Sequence, residues 1–348
     1  MRRGAAAIAA PLISLIVVAA PAAACGGLIG PNGAVNLLRT TTFAGYHDGV
    51  EHYVTAFEYA GGGAAFGSIT PLPGVPSDVQ KGGDWTLQRL VLETNPLPSS
   101  AVRKSRSPDA VGNSVEVLLE TRIDALDITV LKGGGEAVAD WAAERGFQLS
   151  VDAPDVLDFY AERSPIFLAA VFDGEAAAER GQLVGDGTPV HVTIPTPNPW
   201  VPLRILGLGK PAAEIVQADV YLLTDREPAM LPAIQPASTA TNGLILDHSA
   251  AATESLLSDL RSDVGMEWVP RSGWLTKVRI DTTAGDLLYD LAVDASGQGT
   301  PSRVAAGLEP AGGVNLATAG ALPLLALLVA GGSALAATRR RARGISRG

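Results

Sequence analysis

The chain has 348 residues, 47% of them hydrophobic and 5% aromatic, with 26 Lys and Arg against 36 Asp and Glu and a formal net charge of −10. An acidic balance of that size repels nucleic acid and anionic polymers. With Cys25 as the single cysteine, no internal disulfide is available and the fold must rest on its core.

At the N-terminus Arg2 and Arg3 precede an apolar run over 5–20 that holds Leu12, Ile13, Leu15, Ile16, Val17 and Val18, and Pro21-Ala22-Ala23-Ala24 follows as a small-residue cleavage region. Residues 1–24 therefore read as a secretory signal peptide, with an uncleaved signal anchor as the alternative. Cleavage there makes Cys25 the first mature residue and a candidate lipid-attachment site. Ala22 stands where bacterial lipoboxes carry Leu or a larger aliphatic, and a free structural cysteine is the competing reading.

Strands open the exported domain. Residues 36–43 and 52–59 are rich in Val, Thr, Phe and Tyr and predict two strands, joined by a tight hairpin turn at Asp48-Gly49. Gly61-Gly62-Gly63 breaks the run, and 65–72 predicts a third strand. The three prolines of Pro71-Leu72-Pro73-Gly74-Val75-Pro76 lack the donor that a ladder needs. Asp84 is the expected N-cap of a short helix with Leu87, Leu90 and Val91 on one face. Residues 96–114, polar and carrying Arg103, Lys104 and Arg106, predict an exposed, protease-sensitive loop.

A second block predicts strands over 115–120 and 125–131. Gly133-Gly134-Gly135 leads into a helix over 136–145, with Val138, Trp141 and Ala142 on one face and Gly146 at C′. A helix over 154–163 opens on Pro154 and stops before Pro165. The apolar run 166–172 fits a buried strand.

The third block holds a strand over 190–194, the proline-rich 195–202, strands over 203–208 and 218–224, and a second exposed loop over 228–241. Leu256, Leu257 and Leu260 share one side of a helix over 255–262. Residues 274–281 and 287–293 read as a closing hairpin that turns at Ala284-Gly285. Residues 295–313 are rich in Gly, Pro and Ser and predict a flexible tether. Then 310–338 carries no charge, and Arg339, Arg340, Arg341 and Arg343 arrive together. A hydrocarbon core about 30 Å thick takes roughly 20 apolar helical residues, so 314–338 is the expected transmembrane helix. The arginines are a stop-transfer signal and belong on the cytoplasmic side.

Several segments together resemble the bacterial family called domain of unknown function 2330. Its centre is matched by Ala139-Asp140-Trp141, Arg145-Gly146-Phe147, Val156-Leu157, Tyr160 and Pro165-Ile166-Phe167-Leu168-Ala169. Ala24-Cys25-Gly26-Gly27 stands at the leader junction, and 66–76 follows the first strands. Pro202-Leu203-Arg204-Ile205, the run 220–225, Leu275-Thr276-Lys277-Val278-Arg279 and Asp290-Leu291 come in the family's order. The similarity covers roughly residues 24–295. The second cysteine that members often carry is missing, as is the tryptophan usual near Pro165. The resemblance implies an exported or membrane-anchored envelope protein with no assigned activity, and brings no functional residues with it.

Residue types that carry chemistry are few. His47-Asp48 with Glu51-His52 is the one cluster of metal-ligating or acid–base types, but on a hairpin Glu51 and His52 point to opposite faces and the spacing is not His-Glu-x-x-His. Asp247-His248-Ser249 holds triad types that, as neighbours, cannot form a relay. Gly207-x-Gly209-Lys210 lacks the rest of a phosphate loop, and Gly133-Gly134-Gly135 lacks the following Lys-Ser/Thr. Trp141, Trp200, Trp268 and Trp274 have the rings that stack sugars. On a helix's apolar face Trp141 reads as core, whereas Trp200, among prolines, is open to either reading.

The expected fold class is α+β, a predominantly antiparallel β ectodomain with a few short helices plus one C-terminal transmembrane helix. The expected division is a signal peptide (1–24), an extracytoplasmic β-rich domain (25–294) with a split into subdomains near 96–114 as an alternative, the tether (295–313), the membrane helix (314–338) and a basic cytoplasmic tail (339–348). Arg2, Arg3, Arg339, Arg340, Arg341, Arg343 and Arg347 lie in leader and tail, so 19 basic residues face 36 acidic ones in between, a net charge of −17. The sequence implies no cofactor and no metal. Its partners are the membrane and an envelope protein or polymer, not nucleic acid. It reads as a non-catalytic interaction module of the bacterial cell envelope; the alternative is an extracytoplasmic hydrolase using carboxylates assembled from distant strands.

Overall fold

Side chains alternate across a strand, so a strand covered on both faces reads as an unbroken apolar run. That is the pattern of Ile166–Phe172, and it marks the middle of a layered molecule. The computed structural model describes residues 27–30, 33–34, 40–58, 66–95, 117–182 and 187–311. The strands begin as β1 (Gly27–Gly30), β2 (Gly33–Ala34), β3 (Thr40–His47), β4 (Val50–Glu58), β5 (Phe66–Pro71), β6 (Asp78–Lys81), β7 (Val117–Ile123), β8 (Leu126–Lys132) and β9 (Ile166–Phe172). They continue as β10 (Gly187–Pro195), β11 (Trp200–Val201), β12 (Ile215–Thr224), β13 (Ala229–Leu231), β14 (Gln235–Pro236), β15 (Leu244–Ala251), β16 (Trp274–Thr283) and β17 (Leu291–Asp294). The helices are α1 (Thr86–Thr94), α2 (Gly135–Glu144), α3 (Ala153–Ala161), α4 (Gly174–Glu179) and α5 (Glu254–Ser262). The expected β-rich α+β class is what the chain adopts.

The strands form an eight-stranded sheet in the order β14-β15-β16-β12-β3-β4-β10-β6, a six-stranded sheet β2-β1-β5-β9-β8-β7 and a small sheet β11-β17-β13. Most pairs are antiparallel; β12–β3 and β14–β15 run parallel. One core lies between the two large sheets: Ile166, Leu168, Ala170 and Phe172 of β9 meet Val216, Ala218, Val220 and Leu222 of β12 in it. The alternate β9 residues, Phe167 and Ala169, turn the other way and pack with Val138, Trp141, Leu157 and Tyr160 of α2 and α3. On the far side Tyr221 and Leu223 of β12 pack with Leu87 and Leu90 of α1 and with Leu256, Leu257 and Leu260 of α5. Helices thus cover the outer faces of two stacked sheets, which explains why so few strands alternate apolar with polar.

The β3–β4 hairpin follows from two residues. Asp48 and Gly49 take φ of 50° and 79°, the left-handed pair that a two-residue turn requires. The turn pairs His47 with Val50, Tyr46 with Glu51 and Gly45 with His52. α2 and α3 also form where expected, with Gly146 at φ 78° closing α2 and Pro154 in the first turn of α3.

Five expectations are corrected. Asp84 does not cap α1. The cap comes from Asp263, whose buried carboxylate accepts the backbone N–H groups of Asp84 (3.1 Å) and Trp85 (2.9 Å) and the Thr86 hydroxyl (2.9 Å). Residues 203–208 are not a strand: Arg204–Gly207 is a 3-10 turn, because Asp290 takes the N–H groups of Leu203 and Arg204. The closing hairpin does not form. β16 pairs with β12 and β15, and β17 pairs with β11 and β13. The expected loop over 228–241 contains β13 and β14. Finally, 295–308 is no tether: Ala305 and Ala306 are buried, the Asp290 N–H bonds the Ala306 carbonyl at 3.0 Å, and the compact unit runs to Leu308.

Asp263 supports a direct prediction. Asp263→Ala leaves three backbone donors, those of Asp84, Trp85 and Val264, and the Thr86 hydroxyl without this acceptor and is expected to cost about 1–3 kcal/mol. Urea unfolding with an unchanged midpoint would show that the cap is not needed.

The signal peptide, Cys25, the 96–114 loop, the 314–338 helix and Arg339, Arg340, Arg341 and Arg343 lie outside the described residues. Among the described residues no helix is long and apolar enough to cross a membrane.

Candidate functional site

The β3–β4 turn, the end of β12 and the loop after β17 meet at one end of the eight-stranded sheet. They enclose a groove of about 460 Å³ lined by Tyr46, Asp48, Gly49, Asp225, Arg226, Ala295, Ser296 and Gln298. A second hollow of about 340 Å³ shares Arg226, Ser296 and Gln298 with it and adds Glu227 and Pro228. Polar side chains dominate the lining, and Asp48, Asp225 and Glu227 outnumber Arg226. At the rim His47 Nδ1 lies 2.6 Å from Asp225 Oδ1, and Nε2 lies 3.3 Å from Asp48 Oδ2. All three side chains are largely in water, so these pairs orient the rim more than they stabilise the fold.

Behind the groove is the least expected residue of the site. Glu51 is 1% exposed and neither carboxyl oxygen has a hydrogen bond of good geometry among the described residues, the Trp200 backbone N–H being the one donor that acts on it. It lines a cavity of about 10 Å³ with Ala44, Gly45, Tyr46, Pro199, Val201, Leu222, Thr224 and Val293, a space at the lower limit for one water molecule. Burial pushes its pKa up to about 8, and the nearby Trp200 backbone N–H only partly offsets this. Tyr46, opposite Glu51 in the hairpin register, lines both cavity and groove. Its hydroxyl donates to the Thr196 carbonyl at 2.9 Å. Burial raises its pKa, with the charges of Glu51 and Asp294 adding to the effect.

His52 faces the other side of the sheet. Its Nδ1 lies 2.9 Å from Nε2 of His191, and the Trp268 ring stacks on it at 4.0 Å, inclined by 2°. Gly45 makes this stack fit, since a Cβ there would lie 2.3 Å from the Trp268 ring. Burial lowers His52 to about 3, reinforced by His191 and His47. It also lowers His191 to about 4 against the opposing pull of Asp78, the Gly265 backbone and Glu267. Both imidazoles are therefore neutral at pH 7.

Folded pKa values below the ordinary histidine value of 6.5 give stability that is present above pH 6.5 and lost as pH falls toward 4. For the buried His191 alone the loss at pH 5 is about 2 kcal/mol. Urea titrations at pH 7 and 5 are expected to show it, and His191→Gln is expected to flatten the difference. An equal pH slope in the variant would contradict this.

Most of the remaining chemistry-bearing residues are structural. Asp290 is fully buried and its Oδ1 accepts from the Tyr160 hydroxyl (2.8 Å) and the Leu203 and Arg204 N–H groups (2.7 and 3.1 Å). Its Oδ2 accepts from Arg163 Nη2 at 2.6 Å. Arg163 also donates to the Ala305 carbonyl at 2.5 Å and lies over the Phe159, Tyr160 and Trp200 rings. Trp200 is thus buried, 3% exposed, and unavailable for sugar stacking; Trp141 is core as expected. Gly209 N–H binds the Asp152 carboxylate and Lys210 pairs with Glu214 at 2.5 Å, so that segment cradles no phosphate. Asp247, His248 and Ser249 lie along β15, where Ser249 Oγ accepts from the Trp274 indole N–H at 2.8 Å and Asp247 pairs with Arg279. Glu51 and His52 do point to opposite faces. Among the described residues no group of three or more His, Cys, Asp or Glu could hold a metal ion.

No protein-family model matches the chain, and no curated protein does. Crystal structures of baculovirus P35 are among those similar to it. A mutated, caspase-cleaved P35 shares 8% identity over 73% of this chain and 98% of its own, with a TM-score of 0.39. The caspase-8/P35 complex shares 9% over 73% and 95%, with a TM-score of 0.37. P35 itself shares 9% over 74% and 96%, with a TM-score of 0.38. At these TM-scores the overlap assigns no fold family.

Proposed function

We propose that this protein is a membrane-anchored interaction module of the bacterial cell envelope, displayed on the extracytoplasmic side and binding a partner through the groove at the end of the eight-stranded sheet. The groove itself carries the reading. Its polar lining comes from three separate segments held by the sheet end, the usual setting for recognition on a rigid scaffold. The leader, the charge-free 314–338 stretch and the arginines after it support the anchored topology. The resemblance to the domain of unknown function 2330 family belongs to the same proposal.

A photo-crosslinking residue at Gln298 in the groove, compared with one at the exposed Leu288 outside the groove lining, tests it in whole cells. A defined adduct from Gln298 and none from Leu288 is expected. Equal labelling from both positions would overturn the groove as the binding face.

The hydrolase alternative has one observation in its favour. Asp48 and Asp225 line the same groove and both contact His47, which holds the two carboxylates within the roughly 10 Å over which glycosidase pairs act. Their exposure, 85% and 52%, argues against acid–base tuning by burial. Turnover in a broad hydrolase screen that is abolished by Asp225→Asn would favour this alternative.

A further inference from the structure

Glu51 falls short of the rule that buried carboxyls are well hydrogen-bonded. It sits at a core position, between Tyr46 and Ile194 in the sheet register, lines a small cavity, and has no well-formed hydrogen bond to either oxygen, only the weak help of the Trp200 backbone N–H. Such a group costs stability unless something meets it. The cavity has room for a group about the size of a water molecule, which is also the size of an ammonium head, while a planar guanidinium is larger. Thr224 is a second oxygen in the lining; its hydroxyl proton goes to the Arg226 carbonyl at 2.6 Å, which leaves its lone pairs. Tyr46 lines both this cavity and the groove, and an aromatic ring is a group that attracts a cation. Outside it, Asp48, Asp225 and Glu227 set a negative field along the approach.

We propose that the cavity and the groove form one recognition site for a primary ammonium group, the lysine side chain of a basic peptide segment. This inference rests on the groove reading above and names what the groove takes. The ammonium passes Tyr46 as that side chain turns from the mouth, and its N–H groups bind the Glu51 carboxylate and Thr224. Glu51 enters the complex by giving its proton to solvent, so that a neutral carboxylic acid and a cation become an ion pair plus one released proton. The peptide on either side of the lysine lies along the groove.

The test uses the full-length protein in detergent and two blocked tripeptides, acetyl-Gly-Lys-Gly-amide and acetyl-Gly-Arg-Gly-amide. Isothermal titration at pH 7 in two buffers of different ionisation enthalpy reads both affinity and proton release. The lysine peptide is expected to bind with release of close to one proton, and the arginine peptide at least tenfold more weakly. Glu51→Gln, which keeps the side chain's shape, is expected to lose the proton release and at least tenfold in affinity. A lysine peptide bound equally by wild type and Glu51→Gln, with no proton released, overturns the Glu51 site and leaves the groove reading standing. No binding of the lysine peptide also overturns the site, and the groove is then judged by its crosslinking result alone.

Discussion

Asp290→Ala is expected to be the most damaging single substitution in the domain. The carboxylate is fully buried and satisfies Arg163, Tyr160 and two backbone N–H groups at once. Removing one partner of a buried ion pair costs about 3–5 kcal/mol. The orphaned Leu203 and Arg204 amides add to that, against a total stability of about 5–15 kcal/mol for a typical domain. Tyr160 passes the effect on, because its hydroxyl accepts the Ile205 N–H at 2.9 Å while donating to Asp290. The network ties α3, the 3-10 turn and the 301–308 segment together, so its loss should release all three. Asp290→Asn keeps an acceptor for the backbone amides and is expected to cost less than Ala. Chemical denaturation of the two variants and of Arg163→Met tests this. The order Ala worst, Asn milder supports the network, whereas equal effects would mean that the charge pair alone matters.

Glu51→Gln is expected to act in the opposite direction and stabilise the protein at alkaline pH. A folded pKa of about 8 against the ordinary carboxyl value of 4.5 means that the folded state holds a proton that the unfolded state gives up. The resulting penalty is absent below pH 4.5, grows as pH rises, and is complete above pH 8. At pH 7 it amounts to about 3 kcal/mol. Gln cannot ionise, and its own unmet amide costs the same at every pH. The gain of Glu51→Gln over wild type should therefore be about 3 kcal/mol larger at pH 8 than at pH 5, or roughly 6–10 °C in Tm. A gain independent of pH would show that Glu51 is ionised in the fold. Together with the histidine pair, which withdraws stability on the acid side, Glu51 confines the most stable range to near-neutral pH.

The local grammar of the chain was legible, while long-range choices were not. Asp48-Gly49 announces its turn because two adjacent residues supply the geometry. Ile166–Phe172 announces a strand covered on both faces, and Trp141 with Val138 and Ala142 a helix face. Asp263 is unreadable as the α1 cap because it lies 178 residues from the Trp85 amide it accepts. The apolar alternation of 274–281 and 287–293 fits a hairpin equally well as two strands with other partners, and here distant partners won. β15 has no local strand signal because Asp247-His248-Ser249 interrupts its apolar residues with polar ones. Trp200 looked open among prolines, but Arg163 and Tyr160, far away in sequence, cover it. The site is a mixed case. The hairpin turn already pairs Tyr46 with Glu51 and puts Glu51 on the face of Tyr53, yet it is Pro199, Val201 and Val293, distant in sequence, that close over it. The groove itself draws on residues 46–49, 225–228 and 295–298, a meeting that no local pattern reveals.

The central claim, a domain displayed outside the membrane by a C-terminal anchor, is tested most directly by protease shaving of intact cells followed by intact-mass measurement of the protein. The account predicts a mature chain beginning at Cys25, loss of the domain from the outside, and protection of the tail that carries Arg339, Arg340, Arg341 and Arg343. Digestion of that tail with the domain protected would contradict it and place the groove on the cytoplasmic side.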